Sequence, residues 1–220
     1  MEHSKLLLGS NFQKYREHPK WIINLIIWIV IALATLWITS VATDWTQVLK
    51  DSNQEMNQAQ FEQFKSFMIP VTIITGILGQ LFYLLFAYLI VWGIARIFKS
   101  DVRKRSIFAG TLFALLISSL VAFVVVGIQA IVGLDVAQIS ITSLNIFDSG
   151  NKVLGVFNLQ TLLSGYLFGL LLYKTCKLSG KVSIIFGVIL VVLSVGFGLI
   201  GAMVQPCLLY TSPSPRDRQK

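Results

Sequence analysis

The residues of this chain that could do chemistry are few, and almost none of them ionise. The two histidines, His3 and His18, both sit near the amino terminus, with no Cys–His cluster beside them that would bind zinc. No serine has a histidine and an acid in plausible reach for nucleophilic catalysis. Neither a P-loop nor a dinucleotide glycine motif occurs. The expectation is no enzyme, no cofactor and no metal. What remains is uncharged: Asn24, Gln80, Gln129, Asn158 and Gln160, with hydroxyls at Thr72, Thr75, Ser118 and Ser119. All lie inside apolar stretches. Amides in such surroundings hydrogen-bond between helices, each contributing about 1 kcal/mol or less. The same residues could instead line a polar transport path. Proton- or ion-coupled transport usually needs intramembrane acids or bases, however, and these stretches have none.

The elements that carry those residues are long apolar runs. Of the 220 residues, 55% are hydrophobic and 13% charged, against about 25% charged in soluble domains. Five runs stand out: Trp21 to Thr43, about Phe67 to Ala95, about Ser106 to Leu134, Val153 to Tyr173, and Val182 to Val204. At about 1.5 Å per residue, roughly 20 residues cross a hydrocarbon core of about 30 Å. Backbone groups in lipid must be satisfied without water, so the runs are expected to be helices despite their Ile and Val content. The fold class expected is all-α: a polytopic bundle of five transmembrane helices in one membrane domain over residues 21–206. The first run is too long for a cleaved signal peptide. The second and third exceed what a crossing needs, so they tilt or extend past the bilayer.

Basic residues give the orientation. Residues 1–20 form a cytoplasmic amino-terminal segment with Lys5, Lys14, Arg16 and Lys20. The loop after the second run carries Arg96, Lys99, Arg103, Lys104 and Arg105, and the loop after the fourth carries Lys174, Lys177 and Lys181. The opposite loops carry only Lys50, Lys65 and Lys152. Short loops rich in Lys and Arg stay in the cytoplasm, so the topology expected is N-in, C-out in a bacterial inner membrane. The net charge of +8 sits at membrane edges, where it meets anionic headgroups. Nucleic acid is not an expected partner. The cluster Arg96, Lys99, Arg103, Lys104 and Arg105 is the densest, and its sharper reading is a docking surface for an acidic partner.

Smaller features qualify this frame. Leu8, Phe12 and Tyr15 share one face of a short helix that could lie along the inner membrane surface. The Asp44–Lys65 loop, with Val48, Met56, Phe61 and Phe64, reads as an outer surface helix or a flexible stretch. Pro70 fits a first helical turn. Residues 135–152 read as a loop that dips into the outer interface, with a turn at Asp148-Ser149-Gly150-Asn151. Gly110, Ala114, Ser118 and Ala122 recur every fourth residue, as do Gly165 and Gly169, and Ser194, Gly198 and Ala202. Small side chains on one face let backbones approach, within the bundle or between copies of the chain. Cys176 lies beside Lys174 and Lys177, where acylation is conceivable, although a plain structural cysteine is the simpler reading.

The last residues break the pattern. Cys207 to Asp217, CLLYTSPSPRD, reverse-translates without conflict into the adapter of transposase-based sequencing libraries. The expectation is that residues 207–220 are not native protein and stand outside fold reasoning.

The segment YREHPKW leads into the first run with a proline just before it. A long polar loop follows, then two apolar spans joined by a short basic turn. IFDSGNKVLGVFNLQTLLSGYLFGLLLYKTCKLSGKVSIIFGVILVVL closes the pattern as a final helix pair. From Phe12 to Val204 the chain resembles the Yip1 domain family in its bacterial form. The resemblance implies an integral membrane adaptor or organiser without enzymatic chemistry, acting on protein or lipid partners, self-association included. Eukaryotic members act in vesicle traffic and contact small GTPases of the Rab type. This chain lacks their long cytoplasmic amino-terminal region and its DLYGP-type motif, so GTPase binding does not carry over. The alternative from another class is a small transporter or transporter subunit.

Overall fold

Hydropathy alone accounts for most of the helices. In the computed structural model, residues 6–43, 45–46, 57–136, 139–149 and 151–210 are described, the side chains to 203. Val48, Met56, Gly150 and residues 211–220 lie outside them. Helix α1 is Gly9–Glu17, α2 Ile22–Ala42, α3 Gln58–Ile97 and α4 Lys104–Val132. Then come a short 3-10 turn at Leu144–Ile146, α5 Lys152–Val156, α6 Leu159–Leu170 with a π-helical turn Leu171–Thr175, and α7 Gly180–Tyr210. Four helices are long and apolar enough to cross a membrane: α2, α3, α4 and α7 over Gly180–Met203. Their faces are largely exposed, as lipid-facing helices must be without lipid present.

The fourth apolar run does not form one helix. Asn151 caps α5 by accepting from the Leu154 amide at 3.1 Å, and Asn158 caps α6 by accepting from the Gln160 amide at 2.9 Å. Between the caps the chain turns at Phe157. Asn158 pairs with Ser143 in an isolated antiparallel bridge, and the Leu144 and Leu159 amides bond across it. An amide side chain can satisfy backbone donors at a helix start, so hydropathy reads through a break that capping creates. The intact part of the run is twelve α-helical and five π-helical residues, about 25 Å long.

Helix α3 starts well before its apolar run. Asn57 accepts from the Gln60 amide at 2.9 Å, and the Gln60 side chain accepts from the Asn57 amide at 3.1 Å, a reciprocal capping box. The helix is therefore 40 residues long, about 60 Å, and absorbs the end of the polar Asp44–Lys65 loop. Pro70 consequently lies inside the helix, not in its first turn as expected, and cannot donate to the Ser66 carbonyl. At the other extreme, α4 ends at Gly133, whose φ of 77° suits the residue without a Cβ. Helix α7 runs on through the Pro206–Cys207 junction to Tyr210.

Two buried clusters hold the bundle. One joins Trp28 of α2, Leu84 of α3 and Leu112 of α4, and the Trp28 indole donates to Ser119 Oγ at 3.0 Å. The other gathers Phe12, Val91, Ile107, Phe113, Leu167, Leu171, Leu172 and Cys176 at one end. Helix α1 belongs to it. Phe12 is 0% exposed, with its ring edge-on to Phe113 at 5.1 Å. Rather than lying on the membrane surface, α1 plugs the end of the bundle.

Candidate functional site

The end closed by α1 is where the basic segments meet. Arg16 donates to the Lys174 carbonyl at 3.0 Å, Ser106 Oγ to the Arg16 carbonyl at 2.8 Å, and Ser100 Oγ to the Cys176 carbonyl at 2.6 Å. These bonds tie together the end of α1, the α3–α4 loop with the first turn of α4, and the π turn with the loop that follows it. The π turn supplies part of the geometry. The Cys176 amide reaches back to the Leu171 carbonyl at 3.1 Å, and the Leu178 amide, which would serve the Lys174 carbonyl in a continuing α-helix, bonds the Leu172 carbonyl at 3.1 Å instead, which leaves Lys174 O free for Arg16. Lys99 and Lys177 each close a helix in the left-handed region, with φ of 51° and 57°. Arg96, Lys99, Arg103 and Arg105 are exposed there, while Lys104 Nζ lies 5.4 Å from the centroid of the Trp92 ring, a cation–π contact. Cys176 is buried under this cap, and burial pushes its thiol up to about 12. A thiol held protonated is a poor nucleophile.

A crevice of ≈ 680 Å³ opens between α3 and α7, floored by α4 and α6. Phe98, just past α3, and Phe186 of α7 meet at its basic end with ring centroids 5.9 Å apart. Above them the lining is apolar, with Ile90, Val91, Leu167, Phe168, Ile189 and Leu190. Toward the far end it turns polar, with Ser118, Asn158, Gln160, Thr161, Ser164 and Ser194. Gln160 Nε2 donates to the Ser118 carbonyl at 3.2 Å, and the Ser118 and Ser164 hydroxyls stand 3.5 Å apart. Of the intramembrane amides singled out in the sequence, only Asn158 and Gln160 line this space. Gln80 is half-buried on α3 outside the lining. Gln129 is buried at the far end of α4, where it donates to the Ile139 carbonyl. Asn24 accepts from Tyr15 at 3.3 Å in the wall between α1 and α2.

Neither feature is a catalytic constellation. Among the described residues no group of three or more His, Cys, Asp or Glu side chains could hold a metal. The family model described as the Yip1 domain matches residues 8–202. The chain belongs to the Yip1 domain family. No curated protein and no solved structure matches it. As a Yip1-domain protein the chain is an integral membrane protein with multiple spanning helices, of the kind found in the bacterial inner membrane. It is also non-catalytic.

In this Yip1 domain the small residues lie mostly where helices approach each other. A Cβ on Gly165 would stand 2.9 Å from the Gly187 carbonyl oxygen, and one on Gly169 3.2 Å from the Ser183 oxygen. At Gly110 it would meet Leu171 Cδ1 at 2.7 Å, and at Gly198 Val156 Cγ1 at 2.7 Å. Ala114 is buried in the cluster at the basic end. Ser118 and Ser194 face the crevice, and Ala202 is half-buried on α7. The sequence offered Gly165 and Gly169 as a pair. It did not mark their counterpart, Gly187, or the buried Trp28–Ser119 bond. Gly187 has a small residue four positions before it, Ser183, so the same spacing could have marked it, whereas Trp28 reads as one more apolar residue.

Proposed function

We propose that this Yip1-domain chain is a non-enzymatic membrane adaptor or organiser. It crosses the bilayer five times, with the basic end in the cytoplasm, and works by holding protein or lipid partners. The observation that carries this reading is the shared basic end. Three segments far apart in sequence are stitched together there by Arg16, Ser100 and Ser106, and Arg96, Lys99, Arg103 and Arg105 of the adjoining loop are exposed. Exposed cations at a membrane edge attract anionic headgroups and acidic protein segments. The fifth crossing is the α6 helix with its π turn, about 25 Å long, completed at the far side by α5 and the 139–149 loop. Crosslinking in native membranes tests the reading. The expected result is a defined partner or oligomer that is lost when Arg96, Lys99, Arg103 and Arg105 are replaced by Gln. Recovery of neither counts against it.

The crevice favours a second reading, a small transporter or transporter subunit, because polar groups of α4, α6 and α7 gather toward one end of it. Solute flux in proteoliposomes that disappears in Asn158→Leu or Gln160→Leu would place transport first.

A further inference from the structure

The crevice between α3 and α7 has a lining that selects the chemistry of its occupant. Among the described residues, no Asp, Glu, Lys, Arg or His contributes to it. Its polar groups are deep. Ser118 lies fourteen residues beyond Lys104, and Ser194 fourteen beyond Gly180, about 21 Å along helices that start at the basic end. In a core about 30 Å thick they fall well below the far boundary. A phosphate drawn to that depth meets no cation, and burying an unpaired charge is strongly unfavourable. An uncharged hydroxyl or ester needs only hydrogen-bond partners. Those partners are present: among the described residues, Gln160 Oε1 and the hydroxyls of Thr161 and Ser194 carry no hydrogen bond. Gln160 is meanwhile held in place by its bond to the Ser118 carbonyl. The apolar length from these groups down to Phe98 and Phe186 suits an acyl chain, and ≈ 680 Å³ falls within the roughly 300–1,000 Å³ of small-molecule sites.

We propose that this crevice binds a neutral glycerolipid of the diacylglycerol type, its hydroxyl and ester carbonyls against Gln160, Thr161 and Ser194 and one acyl chain between α3 and α7. The second chain stays in the bilayer, reached through the lateral opening. This deepens the lipid side of the adaptor reading. Its test is separate, because partner crosslinking at the basic end can fail while the crevice still binds lipid.

The full chain, reconstituted in phosphatidylcholine nanodiscs, is exposed to a diacylglycerol carrying a diazirine and an alkyne on one acyl chain, and labelled peptides are mapped. Labelling is expected to concentrate on residues 83–94 and 186–197. Tenfold excess dioleoylglycerol should reduce it at least fivefold, and the same excess of phosphatidylglycerol less than twofold. Gln160→Leu removes the polar contact and Ala87→Trp fills the space without touching any hydrogen bond. Each should lower labelling at least threefold while the protein stays monodisperse, and if Gln160→Leu fails to fold, Ala87→Trp decides. Labels spread evenly over the lipid-facing sides of α2, α3, α4 and α7 would overturn the proposal. So would equal competition by the anionic lipid, or unchanged labelling in a folded Ala87→Trp protein.

Discussion

Asn158 shows how one side chain can end an apolar run. Its Oδ1 takes the Gln160 amide, and its backbone pairs with Ser143. Replacing it with alanine leaves that donor unsatisfied and is expected to lower stability by about 1 kcal/mol. Chemical unfolding in detergent measures this, and an unchanged midpoint would mean the cap contributes nothing. From sequence, the amide was visible but its role was not, because an Asn inside a helix and an Asn at a helix start look alike in hydropathy. Cys176 is a second case. Its position beside two lysines left acylation open beside the simpler reading of a structural cysteine, and the α1 plug buries it at 0% exposure. With the folded thiol pushed up to about 12 from 9.0, the native state holds the proton more tightly than the unfolded one. Stability from this group is thus full below about pH 9 and declines as the pH climbs from there toward 12. Peptide-resolved alkylation at pH 8 is expected to leave Cys176 unmodified until the chain is unfolded. Rapid labelling of the folded protein would contradict the buried placement.

At the level of helices, the α6–α7 crossing and the α3 start differ in how legible they were. Small residues at four-residue spacing pointed to close approach, and the backbones do approach at Gly165 and Gly187. Gly165→Val sets a side chain against a carbonyl that cannot rotate away, and overpacking of this kind costs about 1–3 kcal/mol. Gly79→Ala, where nothing lies within 4 Å, is expected to be neutral or slightly stabilising. Parallel thermal scans of the two variants distinguish a tight crossing from a general intolerance of glycine loss. The start of α3 was also written in the residues, as Asn57 three positions before Gln60. It goes unnoticed in a hydropathy reading because the capping box sits in a polar loop far from the apolar run. The α1 plug was half legible. Its apolar face at Leu8, Phe12 and Tyr15 was visible. The choice between a lipid surface and a protein socket depended on Phe113 and Leu172, residues a hundred or more positions away.

For the whole molecule, the distribution of charge and the contacts between distant segments agree. Basic segments separated by up to 158 residues meet at one end, as a shared membrane face requires. The proposed orientation predicts that Lys99→Cys in intact cells is shielded from a membrane-impermeant maleimide. Ser149→Cys, in the loop at the far end, should label readily. The opposite pattern would invert the topology, and labelling of both would break the assignment of five crossings.

The Gly165–Gly187 contact also constrains how this chain can vary over generations. Where α4 meets the π turn, a larger residue at Gly110 runs into Leu171 Cδ1 at 2.7 Å and Thr175 Oγ1 at 3.0 Å, both side chains, and trimming Leu171 to alanine removes the nearer obstacle. Such a pair can drift together. At Gly165 a side chain meets Val191 Cγ2 and also the backbone oxygen of Gly187 at 2.9 Å, and trimming Val191 leaves that oxygen in place. Gly165→Ala should therefore have no second-site suppressor across the crossing, whereas Gly110→Ala should have one at Leu171. A suppressor screen would separate the two kinds of glycine by their genetics alone.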